Sequence, residues 1–174
     1  MTTLAWETAK KTTLKLEAGF QNDRNDRGNW TSGVIGVGEC KGTKYGICAM
    51  SYPEVDIPNL TEEEAYNIYR REYWNKAKCD QIPDCLSVAV FDYSIHSGTI
   101  QAIKDLQKAL GVKADGIIGF QTIGACNSKP LRGVLERYFD NRLEYMIHCK
   151  GWTKYCKGWI NRWCAVKKVC ESLL

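Results

Sequence analysis

Glu17 stands at a position where a carboxyl group could act as an acid catalyst. It closes the amphipathic stretch from Thr2 to Leu16, in which apolar residues recur every three or four positions, and Ala18 and Gly19 follow it. We therefore expect Glu17 at a helix end, where a turn of small residues lets a substrate approach and the apolar helix face partly desolvates the carboxyl. Position alone favours a solvated glutamate near a helix end.

Hydrolysis of a glycosidic bond is one reaction that such an acid would serve. It needs one protonated carboxyl to donate to the leaving oxygen, and a second carboxylate or a positioned water across the sugar. Carboxyl groups follow Glu17 in the segment from Gly19 to Gly46, which carries seven glycines with Asn and Asp between them. We expect turns there, with a short hairpin around Gly33 to Gly46.

The elements that must position these residues are mainly helices. Thr61 and Glu64 form a capping box that opens a helix running to about Trp74. The apolar run from Asp84 to Ile95 could be a buried strand by composition, but its helical neighbours favour a buried central helix ending at Gly98. Three further helices are predicted: Thr99 to Leu110, with Ile100, Ile103, Leu106, Gln107 and Leu110 on one face, then Leu131 to Lys150 and Thr153 to Glu171. The inner faces of the last two carry Leu135, Phe139, Leu143 and Met146, and then Tyr155, Trp159, Trp163 and Val166.

Composition limits the class of protein. With 44% hydrophobic and 25% charged residues, the chain is a folded globular protein. The net charge of +4 is not gathered into a basic stripe, so we expect no nucleic-acid partner. The first residues lack the pattern of a signal peptide, and no apolar run has the length of a membrane span, so we expect synthesis in a cytoplasm and no membrane insertion.

Nine cysteines are spread along the chain without a C-x-x-C pair. In a protein folded under reducing conditions they are expected to be small buried hydrophobes. Zinc bound by Cys149, Cys156, Cys164, Cys170 and His148 is the alternative, but the spacings match no standard zinc motif. We therefore predict no metal and no cofactor.

Three motifs resemble those of glycoside hydrolase family 108, the phage and bacterial N-acetylmuramidases. They are EAGFQNDRNDRG over Glu17–Gly28, GTKYGI over Gly42–Ile47, and NLTEEEAYNIYR with a following Tyr-Trp pair over 59–74. The chain departs from the family pattern at Ala18, where glycine is usual, and in a longer loop between Asn29 and Lys41. The resemblance implies a mainly α, lysozyme-like helical fold with a small loop or hairpin region near the catalytic glutamate.

The resemblance also implies site residues. In the family the glutamate of the first motif is catalytic, which carries onto Glu17. The order Glu, Asp, Thr resembles that of phage-type lysozymes, so Asp26 would support positive charge at the sugar or orient water, with Thr43 assisting. A turn or N-cap role is the alternative for Asp26, and Asp23 or Glu39 would then be the second carboxylate. Candidate substrate-binding residues within or beside the motifs are Asp23, Trp30, Tyr45 and His96. The position of His96 fits a hydrogen-bonded helix-end histidine better than a catalytic one.

The second half of the chain resembles predicted peptidoglycan-binding domains. The resemblance lies in AIKDLQKALGVKADGIIGFQT over Ala102–Thr122 and KGWINR over Lys157–Arg162. Turn and cap roles explain most of these residues, and sugar contact by Trp159 or Arg162 is the alternative. We expect a muramidase catalytic domain at 1–90 and a helical peptidoglycan-binding domain at 91–174, packed onto the first.

Together these features predict an endolysin that hydrolyses the β-1,4 bond between N-acetylmuramic acid and N-acetylglucosamine. It would be a monomer made in the cytoplasm of a bacterial host, and it would act on the peptidoglycan of the wall after release. A lytic transglycosylase using the same glutamate is one alternative, because a lone acid can also take the muramyl hydroxyl proton. A non-catalytic wall-binding or virion protein is the other.

Overall fold

The structure of the protein is a computed structural model that describes residues 4–14 and 19–174. Glu17 lies outside the described residues, as do Ala18 and both ends of the predicted first helix. The chain forms two compact units. The first comprises Arg70–Leu174 with the described part of Met1–Leu14, and the second comprises the described part of Lys15–Tyr69.

Helices dominate the described residues, which confirms the prediction of a mainly α protein. The described residues contain seven α-helices: α1 (Leu4–Thr13), α2 (Glu62–Tyr69), α3 (Asp84–Ser97), α4 (Thr99–Leu110), α5 (Phe120–Ser128), α6 (Leu131–Ile147) and α7 (Trp152–Glu171). All except α2 belong to the first unit. Among the described residues, no helix is both long enough and apolar enough to span a membrane.

Helix α3 forms the centre of the first unit. Every residue from Cys85 to Ser94 is buried, and α3 packs against α1, α4 and α7. Trp6, Trp74 and Phe91 meet edge to face with ring centroids 5.2 to 5.6 Å apart. A helix that is buried on all sides shows no hydrophobic period, so only its helical neighbours and the lack of a partner strand favoured a helix over a strand.

The predicted inner face of α4 is confirmed except at its first residue. Ile103, Leu106, Gln107 and Leu110 are buried, and Gly111, at a φ of 66°, ends the helix. Ile100 was predicted on this face but is 65% exposed. It lies over the turn at Gly116, where a β-carbon would be 3.0 Å from its Cγ2, and so it covers the turn and not the core.

The prediction of the inner face of α7 is confirmed in the C-terminal half of the helix. Val166 is buried, and the Trp163 indole N–H donates to the carbonyl oxygen of Phe139 on α6 at 2.9 Å. Tyr155 is 50% exposed, so its prediction as an inner residue is wrong. The first turns of α7 thus carry aromatic side chains that the core does not cover.

A three-stranded antiparallel sheet lies in the second unit. Strands β1 (Phe20–Gln21), β2 (Thr43–Lys44) and β3 (Ile47–Cys48) pair in chain order. The prediction placed the hairpin around Gly33 to Gly46, but it turns at Tyr45 and Gly46, whose φ angles are 53° and 74°. Two successive positive φ values give a turn whose twist matches that of the flanking strands. Residues 31–40 form an irregular loop instead.

The predicted capping box of α2 is confirmed. The backbone N–H of Thr61 donates to Glu64 Oε2 at 2.8 Å, and the N–H of Glu64 donates back to Thr61 Oγ1 at 3.3 Å. After α2 the chain continues in a single π-helical turn, Arg70–Trp74. The helical run therefore reaches the predicted residue, Trp74.

The nine cysteines lie in the described part of the chain as free thiols. Cys79, Cys85, Cys126 and Cys170 are buried, as expected of small hydrophobes, and burial raises the pKa of each of these thiols. Cys164 is exposed, which the prediction had wrong, and the other four are partly buried. The described residues contain no group of three or more His, Cys, Asp or Glu side chains placed to hold a metal ion.

Candidate active-site loop

Asp26 shapes the loop that follows the Glu17 motif. It is the N-cap of a short 3₁₀ helix, Arg27–Asn29, and its Oδ1 accepts the Gly28 backbone N–H at 2.8 Å. Its Oδ2 accepts the side-chain amide of Gln21 at 3.2 Å. Asp26 is exposed, and each carboxylate oxygen can accept more than one hydrogen bond. The cap therefore fixes the direction of the carboxylate and leaves acceptor capacity for another partner.

Asn29 connects Asp26 to Thr43 through a buried amide network. The Asn29 side chain is fully buried, and its Oδ1 accepts the Thr43 hydroxyl at 2.7 Å and the Gln21 amide at 3.1 Å. Its Nδ2 donates to Gln21 Oε1 at 2.8 Å and to the carbonyl oxygen of Asp23 at 2.9 Å. The structure thus brings Asp26 and Thr43 into one hydrogen-bonded chain, joined by two amides.

Sequence reasoning missed Gln21 and Asn29. Both stand inside or directly after the first motif, but neither carries a charge or falls on a hydrophobic period. The available signal was the density of amide side chains in a glycine-rich segment, where buried backbone groups need local partners.

Trp30 and Tyr45 take part in holding this second unit together. The Trp30 side chain is 8% exposed, and its indole N–H donates to the carbonyl oxygen of Arg24 at 3.0 Å. The Tyr45 carbonyl oxygen accepts the hydroxyl of Tyr69 at 3.1 Å, which ties the hairpin turn to α2. Their predicted contact with substrate stays a prediction.

The two alternative second carboxylates differ in their surroundings. Asp23 Oδ1 accepts the backbone N–H of Asn25 at 2.9 Å, so Asp23 closes a small turn. Glu39 lies in the long loop with its side chain 73% exposed, 3.7 Å from the Lys41 ammonium. Neither side chain is part of the chain of bonds that joins Asp26 to Thr43.

His96 belongs to the other unit, near the end of α3. Its ring meets Trp159 edge to face at 4.9 Å, and its Nδ1 lies 2.8 Å from the Ser97 hydroxyl. Burial lowers the pKa of His96, and the charges of Arg142 and Arg162 lower it further. The lowered pKa favours the neutral imidazole. The role of His96 as a substrate-binding residue stays a prediction.

A buried ion cluster beside His96 was not predicted. Asp92 on α3 is fully buried, 2.7 Å from Nη2 of the equally buried Arg142 and 2.8 Å from Nη2 of Arg162. Burial alone would raise the pKa of Asp92, but the two guanidinium charges outweigh it and hold that pKa below its ordinary value. The sequence signal for this cluster was Asp92 itself, a single aspartate within an apolar helix. A buried charge requires a partner of opposite charge, so such an aspartate predicts an arginine or lysine packed against it.

Comparison with known proteins identifies the class. The family model described as glycosyl hydrolase 108 matches residues 10–98, just over half of the chain, and one described as a predicted peptidoglycan domain matches residues 101–164. The chain belongs to glycosyl hydrolase family 108. It is a glycoside hydrolase that acts on peptidoglycan, and its mainly α fold is lysozyme-like.

A solved structure is similar over almost the whole length. The structure of Brucella abortus SagA shares 27% sequence identity with the chain at a TM-score of 0.77, covering 97% of this chain and 94% of that one. No curated protein sequence matches the chain.

Proposed function

We propose that the protein is an N-acetylmuramidase that hydrolyses the β-1,4 bond between N-acetylmuramic acid and N-acetylglucosamine, with Glu17 as the general acid. The observation that supports this best is the bonded chain from Asp26 through Gln21 and Asn29 to Thr43, set in the loop that follows Glu17 in sequence. Family membership supports the reaction class.

The proposed reaction begins with proton transfer from the Glu17 carboxyl to the glycosidic oxygen. The bond from that oxygen to C1 of the muramic acid breaks, and the electron pair leaves with the protonated oxygen. Water then adds to C1 and gives one proton to the ionised Glu17 carboxylate, so that a new reducing end forms and Glu17 regains its proton. Asp26 would stabilise the positive charge that develops at C1 or orient the water, with the Thr43 hydroxyl assisting.

The assignment to Asp26 is supported by the way its side chain is held. Two hydrogen bonds fix the carboxylate, and a fixed charge stabilises a transition state without having to reorganise. The buried Asn29 keeps Thr43 in the same network. We place Asp23, Trp30, Tyr45 and His96 among the substrate-binding residues on the sequence motifs that carry them.

We also propose how the chain divides into domains and where the enzyme acts. Residues 1–90 would carry catalysis and residues 91–174 would bind peptidoglycan. The order of the two family models, at residues 10–98 and 101–164, supports this division into a catalytic and a binding part. The protein would act as a monomeric phage endolysin in host lysis. The mildly basic charge of +4 suits a wall that carries carboxylates and phosphate polymers.

Digestion of purified sacculi tests the activity. The turbidity of the suspension should fall and reducing ends should appear in proportion. A protein that pellets with sacculi without any fall in turbidity would be a wall-binding protein instead.

Asp26→Asn tests the second carboxylate. Asparagine keeps the acceptor oxygen that caps the 3₁₀ helix, so the melting temperature should change little. It removes the charge, so the initial rate of wall lysis should fall by about tenfold or more. The measurement is the turbidity rate alongside a thermal melt.

Glu39→Gln serves as the matched control for that variant, because it removes one neighbouring charge and keeps the shape, and its lysis rate should stay near normal. Asp23→Asn is measured beside it, and because Asp23 is placed among the substrate-binding residues its rate should fall, but by less than that of Asp26→Asn. A near-normal Asp26→Asn enzyme with a slow Asp23→Asn or Glu39→Gln enzyme would move the role to that residue.

A further inference from the structure

One face of helix α7 carries features that the packing of the protein leaves unexplained. Positions 151, 155, 158 and 162 are four, three and four residues apart and so lie on one side of the helix. Tyr155 is 50% exposed and Trp159 beside it is partly buried. We call the surface formed by Tyr155, Gly158, Trp159 and Arg162 the α7 face.

Gly158 is the least expected member of this face. It lies inside a 20-residue helix, where glycine is the least favourable residue after proline. Apart from the backbone of α7 itself and its chain neighbours, no heavy atom of the described residues lies within 4 Å of the place where its β-carbon would be. No internal contact therefore requires the missing side chain, and the helix backbone is left open to a ligand.

The aromatic rings of Tyr155 and Trp159, next to Gly158, are held in place by contacts within the protein. Tyr155 and Trp159 stack with centroids 6.2 Å apart, and the benzene edge of Trp159 lies 3.0 Å from where a β-carbon on Gly151 would be. The His96 ring meets Trp159 from α3. These contacts fix the rings before any ligand arrives, which lowers the entropy lost on binding.

Arg162 completes the face with a fixed cation. Its Nε donates to the buried Asp92 at 2.9 Å, while its side chain remains 36% exposed. Lys154 lies over the Tyr155 ring at 5.1 Å. The helix carries five cations, Lys154, Lys157, Arg162, Lys167 and Lys168, against one anion, Glu171. An occupant with carboxylates is therefore favoured.

We propose that the α7 face is a binding site for the glycan strand of peptidoglycan, in which an acetylated amino-sugar ring packs on Tyr155 and Trp159 while the strand crosses the open backbone at Gly158. Aromatic rings suit the apolar faces of sugar rings, and the carboxylates of the lactyl and peptide groups suit the cations around them. The site lies within the range matched by the predicted peptidoglycan domain. The inference rests on the proposed function, since it names where the substrate of that enzyme is held.

Gly158→Gln tests the site, because glutamine improves the helix and fills the space over the backbone. The matched control is Gly124→Gln in α5, another exposed helical glycine with no described heavy atom within 4 Å beyond its own helix and chain neighbours. Both substitutions are made in the Glu17→Gln chain. Binding is measured by pelleting with sacculi freed of phosphate polymers, in 0.5 M salt, about the concentration at which surface charge attraction is strongly screened.

The Kd of Gly158→Gln for sacculi should rise by about tenfold or more, while that of Gly124→Gln stays at the parent value. Both variants should melt at or above the temperature of the parent chain. Parent-level binding by Gly158→Gln, or equal loss in both variants, would overturn the site. Failure of the proposed function has a different signature: wild-type chain would bind sacculi without lowering their turbidity.

Discussion

Glu17→Gln should lower the rate of wall lysis by about a hundredfold or more while the protein stays folded. Glutamine has the shape of glutamate but no proton to give, so the leaving oxygen would depart as an alkoxide. Circular dichroism and the melting temperature should match those of wild type, and pelleting with sacculi should persist because binding does not need the proton. The measurement is the initial rate of turbidity loss.

Glu7→Gln is a matched control for that variant, since it changes a partly buried glutamate on α1 that pairs with Lys10 at 2.8 Å. Its lysis rate should stay within about twofold of wild type, because Glu7 is not among the proposed site residues. The variant should also stay folded, since a partly exposed ion pair on a helix contributes little to stability. Near-normal lysis by a folded Glu17→Gln protein would remove Glu17 from the mechanism.

Asp92→Asn should destabilise the first unit by about 3–5 kcal/mol, which is the usual effect of removing one partner from a buried ion pair. Asparagine would leave the fully buried guanidinium of Arg142 without an anion, and Arg162 would lose its bond from α7 to α3. Urea denaturation of wild type and variant measures the difference. Asp140→Asn, an exposed carboxylate on α6, is the control and should change stability by about 0.5 kcal/mol or less.

The same pair of proteins should show a defined pH dependence. The pKa of Asp92 is lower in the folded protein than in an unfolded chain, so its contribution is present above the unfolded pKa and is lost as the pH falls through the folded one. The stability gap between wild type and Asp92→Asn should therefore be widest near neutral pH and should narrow in acid. A gap that is constant or widens in acid would contradict the ion-pair account.

Much of the fold was predictable because its signals are local. The Thr61 and Glu64 capping box involves residues three apart, and Gly98 and Gly111 end helices through their own backbone conformations. Helix α3 required its neighbours as well, since a buried helix and a buried strand look alike in composition. Tyr155 and Ile100 were misplaced because an apolar period continues past the point where the core stops covering it.

The loop around the candidate site was less predictable. Its strands are two residues long, which is too short for an alternating pattern, and glycines are spaced so that several turns fit equally well. The hairpin turns at Tyr45, which has a positive φ angle, and residues other than glycine rarely adopt a positive φ. The Asn29 to Thr43 bond joins residues 14 apart, and the Arg162 to Asp92 bond joins residues 70 apart. Such pairings depend on the tertiary fold, which sequence periodicity does not report.

The end groups of the digested glycan test the proposed reaction most directly. Wild-type protein is incubated with sacculi, the soluble fragments are reduced with borohydride, and mass spectrometry identifies the terminal sugar. Hydrolysis of the bond after N-acetylmuramic acid predicts N-acetylmuramitol at the new ends, and its absence with Glu17→Gln. Ends of N-acetylglucosaminitol, or of 1,6-anhydro-muramic acid that borohydride leaves unreduced, would contradict the muramidase assignment.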